Sequence, residues 1–234
     1  LVESGSARRY LLYAIGEIAL VVIGILIALQ INNWNERKKE LAKSHEVLKE
    51  IKENIEYNNG RFEVDIKNEE AVTNSIDIVL DNLRNQRGYH DSLDFHFLHT
   101  AYFPSPAIKS SGYETLKSQG VEMIKNSELR KSIMDLYEDI YALIEDISHI
   151  SYDNSANTIW PVFTPLFYTQ ESAPNQPFKT LKVTPFDYNA VVESKQFEGL
   201  ISWWRHSRIV SIETRMNAID EGKTVLEMIT QELN

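Results

Sequence analysis

The stretch Tyr10–Trp34, YLLYAIGEIALVVIGILIALQINNW, decides how this chain is read. From Leu11 to Ile31 only Glu17 is charged. A run of about 21 residues, rising about 1.5 Å each, crosses a hydrocarbon core about 30 Å thick. A core helix of a soluble protein seldom runs so far without a polar face. Tyr10 and Tyr13 at one end and Trp34 at the other stand where interfacial aromatic belts lie. Residues 10–33 are therefore expected to form a transmembrane helix, with 1–9 as its N-terminal flank and 34–234 as a helical extramembrane domain.

Charge separates along the same boundary. Arg8 and Arg9 balance Glu3 and Glu17, so the formal net charge of −10 belongs to the residues beyond the span. An acidic domain gains nothing from counterion release, which excludes nucleic acid as an expected partner. With Cys 0, disulfides, thiol catalysis and Cys-ligated zinc are excluded together. A cleaved signal peptide is disfavoured, because the apolar run is too long and ends in Gln30, Asn32 and Asn33. The chain opens at Leu1, so further residues are expected before it. Arg37, Lys38, Lys39 and Lys43 outnumber Arg8 and Arg9, which taken alone would put the C-terminal side in the cytoplasm.

Beyond Trp34 the apolar residues keep a helical period. Leu41, Leu48, Ile55, Phe62, Ile76 and Leu83 recur at multiples of seven, with Ile51, Ile66, Val72 and Leu80 in adjacent rows. The spacing predicts that the span continues as a stalk helix to about Arg87, closed by Gly88. The weak point is Tyr57-Asn58-Asn59-Gly60, where propensity falls but the seven-residue phase is kept. Residues 89–109 read as an irregular connection. A short helix follows from Ser111, capped with Glu114 and closed by Gly120. Asn126 or Ser127 then caps a long helix through Leu129, Ile133, Leu136, Ile140, Leu143 and Ile147 to about Ile159. Pro161 and Pro165 are expected to stop it. The proline-rich crossing beyond them, packed by Phe163, Phe167, Tyr168 and Phe178, leads to Asp187, a cap for a short turn. Phe197, Leu200, Ile201, Trp204, Ile212, Met216, Ile219, Leu226 and Ile229 form a last stripe. The expected fold is all-α: an N-terminal transmembrane helix continuing into a long stalk helix that packs in a C-terminal helical bundle.

YLLYAIGEIALVVIGILIALQINNWNE at 10–36, and SGYETLKSQG at 111–120 with the following IKNSELR, resemble an uncharacterised family of single-span bacterial membrane proteins of Bacteroidota type, with a helical C-terminal domain. The resemblance implies an inner-membrane, single-pass protein with its C-terminal domain in the periplasm, against the local basic count. It brings no activity, cofactor or catalytic residues.

Glu17 is the most informative candidate, because an ionisable group in a span is costly unless it pairs or faces protein. It shares a helix face with Gly24 and Ala28, a small-xxx-small pair that admits a second backbone. Glu17, Gly24 and Ala28 are therefore expected to be helix-packing residues, with Tyr10, Tyr13 and Trp34 as interface anchors. The alternative is that Glu17 reaches the headgroups.

His90, Asp91, Asp94, His96 and His99 crowd one connection, where a metal enzyme would begin, but their spacing carries no ligand framework. Trp203, Trp204 and Trp160 suit core packing more than a ligand pocket. No cofactor, metal or catalytic residue is expected. The expected function is that of a non-catalytic accessory or scaffolding subunit of a larger membrane assembly, bound to another membrane protein or self-associated through the span. The alternatives are a periplasmic ligand-sensing module signalling through its stalk and a metal-dependent enzyme.

Overall fold

The computed structural model describes residues 4–101, 107–170 and 182–234. Its first element, α1 (Ser4–Arg84), is a single helix of 81 residues, unbroken across Tyr57–Gly60. Two stretches of it differ in what surrounds them. Every residue from Leu11 to Lys43 is exposed, whereas from Ser44 onward one face is buried at helical spacing. The first contains an apolar window long enough to cross a membrane by length and composition, with none of that window buried within the protein. Leu41, expected in the buried row, is 55% exposed, because the bundle begins just beyond it.

Around the buried face stand α2 (Leu93–Thr100), α3 (Ser111–Gln119), α4 (Ser127–Asp135), α5 (Ala142–Asn154), α6 (Trp160–Phe163), α7 (Tyr188–Glu193) and the 39-residue α8 (Lys195–Leu233). π-helical turns at Leu136–Tyr141 and Ser155–Ile159 join α4, α5 and α6 into one rod. That rod therefore runs past Ile159, and Pro161, which lacks an N–H, lies at the start of α6 just after the second π-helical turn. The all-α architecture holds, with one small addition. β1 (Phe167–Gln170) pairs antiparallel with β2 (Lys182–Pro185), Phe167 opposite Pro185.

The antiparallel packing of α8 on α1 is the axis of the bundle, and two apolar cores lie along it. The core nearer the exposed stretch gathers Leu48, Ile51, Ile55 and Phe62 of α1 with Leu116, Ile133 and Tyr141 and the α8 residues Ala218, Val225 and Ile229. The distal core joins Val72, Ile76 and Leu83 to Phe97, Phe163, Phe167, Phe197 and Trp204. Of the residues expected to pack the crossing, Phe163 and Phe167 do so, Tyr168 is exposed, and Phe178 lies outside the described residues. In the α8 stripe Trp204 is buried and Trp203 exposed, as adjacent helical positions require, while Met216 turns outward.

Local differences from the sequence reading have physical reasons. α1 stops at Arg84, before Gly88, where Gln86 takes a left-handed conformation at φ 49°. Residues 93–100, expected to be irregular, form α2. The first turn of α3 is capped from a distance: the Asn54 side chain of α1 accepts from Gly112 N–H at 2.9 Å and from the Ser111 hydroxyl at 3.3 Å. Asn126 caps α4 through Glu128 and Leu129, and Asp187 caps α7 through Asn189, both as the sequence predicts.

Candidate functional site

The chain offers three candidate regions: the bare part of α1, the polar layer between the two cores, and the histidines of α2. On α1, Glu17, Gly24 and Ala28 share one face, all three are exposed, and among the described residues nothing beyond its own turn of helix would meet a Cβ on Gly24 within 4 Å. A shallow groove beside Glu17 is lined by Ala14, Ile18, Val21 and Val22. Tyr13 and Trp34 are exposed at the two ends of the run, and Lys38 lies over the Trp34 ring at 3.8 Å. The side chain of Tyr10 lies outside the described residues.

The polar layer was not read from the sequence. Its centre is Glu69, fully buried at 0% exposure, with Arg208 and Arg215 of α8 each at 1%. Glu69 Oε1 stands 3.5 Å from Arg208 Nη1 and 3.5 Å from Arg215 Nη1, and accepts from the Ser211 hydroxyl at 2.9 Å. Arg208 Nη2 donates to Ser151 Oγ of α5 at 2.9 Å, its guanidinium packs on the Trp204 ring at 4.2 Å, and Arg215 donates to Ser211. One turn before Glu69, Asp65 is also fully buried, 3.4 Å from Arg61. Glu69 Oε2, both Asp65 oxygens and the Nε atoms of Arg208 and Arg215 have no hydrogen-bond partner. Burial pushes the Glu69 and Asp65 carboxyls up, with Arg215 and Arg208 opposing this at Glu69 and Arg61 and Arg215 at Asp65. Burial likewise lowers the Arg208 guanidinium.

A signal for this layer exists in the sequence. The seven-residue row Leu48, Ile55, Phe62, Ile76, Leu83 skips position 69, and the charge there is matched by arginines at 208 and 215 inside the α8 stripe. A buried charge without its partner costs several kcal/mol, about 3–5 by typical measurement, so each side of the pair demands the other.

The asparagines of the expected weak point are both buried. Asn58 makes both amide bonds to the Lys109 backbone, 2.9 Å each way, and at Asn59 the α8 backbone comes so near that a Cβ on Gly222 would lie 2.8 Å from its Oδ1.

The histidines meet, because α2 is helical. His96 Nδ1 and His99 Nδ1 both contact the buried Ser75 hydroxyl of α1, at 3.1 and 3.2 Å. One hydroxyl proton serves one ring, so the other ring must donate its own Nδ1–H to Oγ. Burial lowers both imidazoles below their usual range. His90 instead faces Ser92, and the Asp94 carboxylate is taken by Tyr89 and Thr184. Among the described residues no group of three or more His, Cys, Asp or Glu is placed to hold a metal ion.

Two parts of this geometry fall within one family model: the apolar helix from Glu17 and the α3 segment SGYETLKSQG. A family of unknown function (DUF6090) matches residues 17–172. The chain belongs to this family. The DUF6090 match spans α1 from Glu17, the polar-layer residues Asp65 and Glu69, and the whole α4–α6 rod, and ends before α8. No curated protein and no solved structure matches the chain.

Proposed function

We propose that this chain is a non-catalytic, membrane-anchored helical protein of a bacterial envelope, working by contact as an accessory or scaffolding subunit of a larger membrane assembly. One observation carries the reading. The apolar run and the strut of the bundle are the same unbroken helix, and nothing else in the described chain touches the apolar run. In lipid, the Glu17 carboxyl has no hydrogen-bond partner unless another helix supplies one, and Gly24 and Ala28 leave room for that helix. The resemblance to Bacteroidota-type proteins supports a span in the inner membrane with the bundle in the periplasm. Affinity purification of the full chain from its native membrane, with a crosslinker placed beside Gly24, tests the reading. A stoichiometric membrane partner or a crosslinked copy is the expected result, and recovery of the chain as a monomer without crosslinks would refute it. A periplasmic reporter fused after Asn234 should be active.

The continuity of α1 also supports a second reading, a ligand-sensing bundle signalling through its stalk. Any rearrangement around the polar layer acts directly on the helix that enters the membrane. A metal-dependent enzyme has less support, since among the described residues no group of three or more His, Cys, Asp or Glu gathers to hold a metal ion.

A further inference from the structure

α2 packs on α1 and on β2. Its apolar hold is Leu93 and Phe97, both buried in the distal core, with the Phe97 ring 4.7 Å from that of Phe167. Among the described residues its hydrogen bonds to α1 all end on one atom, the Ser75 hydroxyl, which is 2% exposed and shared by His96 and His99.

That sharing depends on protons. With both rings neutral, Oγ donates to one Nδ1 and accepts Nδ1–H from the other. One added proton is tolerated, because the charged ring becomes the donor and the neutral ring keeps the hydroxyl proton. A second proton makes both rings donors, leaves the hydroxyl proton without a ring to accept it, and sets two cations against one oxygen.

No carboxylate stands free to offset them. On α2, Asp94 is held by Tyr89 and by Thr184 of β2, and the other charge on β2, Lys182, is itself a cation. On α1, Glu69 is paired with Arg208, Asp77 with Arg205 and Asp81 with Arg87. In the connection before α2, His90 and Asp91 pair with each other. Among the described residues the only charged group that bears on either ring is the other imidazole. Phe95 lies against both instead, its centroid 5.6 Å from that of His96 and 4.1 Å from that of His99. An aromatic face attracts one cation but does not separate two.

We propose that Ser75, His96 and His99 form an acid-sensitive latch, which holds α2 on α1 while at most one ring carries a proton and releases it when both do. Release uncovers Phe97 and the aromatic side of the distal core, at the end of the bundle away from the apolar run. The latch is independent of the contact function proposed above.

Hydrogen–deuterium exchange of the full chain in nanodiscs tests it. Exchange over residues 93–101, divided by the intrinsic rate at each pH, reads the opening of α2 between about pH 7.5 and pH 5. Opening should rise below the ordinary histidine value of about 6.5, by up to about tenfold per pH unit, as uptake of one extra proton requires. Residues 129–136 of the proximal core should keep their protection. His96→Gln and His99→Gln each remove one charge and keep a side chain able to bond Ser75, so the rise should vanish in both. Imidazole NMR shifts of the native chain add a check that needs no variant: the rings should take up protons in separate steps, the second together with opening of α2. A flat native profile, an undiminished rise in both variants, equal loss over residues 129–136, or two charged rings with α2 still closed overturns the proposal.

Discussion

Gly112 packs so closely on α1 that a Cβ placed on it would lie 2.7 Å from the backbone nitrogen of Ile51. The atom it would strike is helical backbone, which cannot rotate aside. Gly112→Ala is therefore expected to cost about 1–3 kcal/mol through overpacking, with α3 displaced from the Asn54 cap. Gly60 makes the contrast, since among the described residues a Cβ on it would meet nothing within 4 Å beyond its own turn of helix, and it stands inside the same helix as Ile51. Gly60→Ala should stabilise by about 0.5–1 kcal/mol. Chemical denaturation of the two variants side by side checks both signs.

For the polar layer, the pairing of Glu69 with Arg208 and Arg215 predicts strong asymmetry between partial and complete replacement. Glu69→Ala should lose about 3–5 kcal/mol, because two buried guanidinium groups are left uncompensated. Replacing Asp65, Glu69, Arg208 and Arg215 together by Leu or Met should restore or exceed the native stability. Denaturation midpoints decide, and a fourfold variant weaker than Glu69→Ala would show that the layer contributes more than its own compensation.

Stability should also change with pH in a direction opposite to that of common surface carboxylates. Burial raises the Asp65 and Glu69 carboxyls above their unfolded values. Their contribution is then fully present below the unfolded pKa values of about 4 and is lost as pH rises through the folded values. His96 and His99 act the other way: their depressed values give stability present above about 6.5 that is lost as pH falls through the folded values. Melting temperatures of the native chain and of Asp65→Asn/Glu69→Gln, measured from pH 4 to 8, separate the two. The difference between the curves should shrink the native advantage as pH rises.

If the scaffolding proposal holds, replacing Gly24 and Ala28 by Leu should weaken association with a second helix while leaving membrane insertion intact, since the helix becomes more apolar. Glu17→Gln should be milder than Glu17→Leu, because an amide still hydrogen-bonds. Co-purification from native membranes reads both, and unchanged association in the Leu variants would mark the face as lipid-exposed.

The parts of the fold that were legible in the sequence are those set by periodicity. The seven-residue phase through Ile55 and Phe62 carries α1 across its poorest local stretch, and the stripe from Phe197 to Ile229 runs the length of α8. What was not legible depends on residues distant in the chain. Asn58 lowers local helix propensity, yet its amide bonds the Lys109 backbone in both directions, and that tertiary gain outweighs the local cost. The α3 cap is supplied by Asn54, 58 residues before Gly112, so no local motif announces it. The β1–β2 pair has four residues a strand, too few to show alternation. Of the candidate site, Glu17, Gly24 and Ala28 were visible from the apolar run alone. The Glu69–Arg208–Arg215 layer needed the pairing of two helices separated by most of the domain.

On the proposed membrane reading, the length of α1 beyond the apolar run gives the molecule leverage. Fifty residues separate Trp34 from Arg84, about 75 Å of helix, so a tilt of about 10° in the bilayer would swing the far tip sideways by about 13 Å. A partner at that tip would sense a small reorientation of the span as a displacement larger than a helix diameter. The same arm also works in reverse, so a modest lateral push at the tip would apply a large torque at the headgroups.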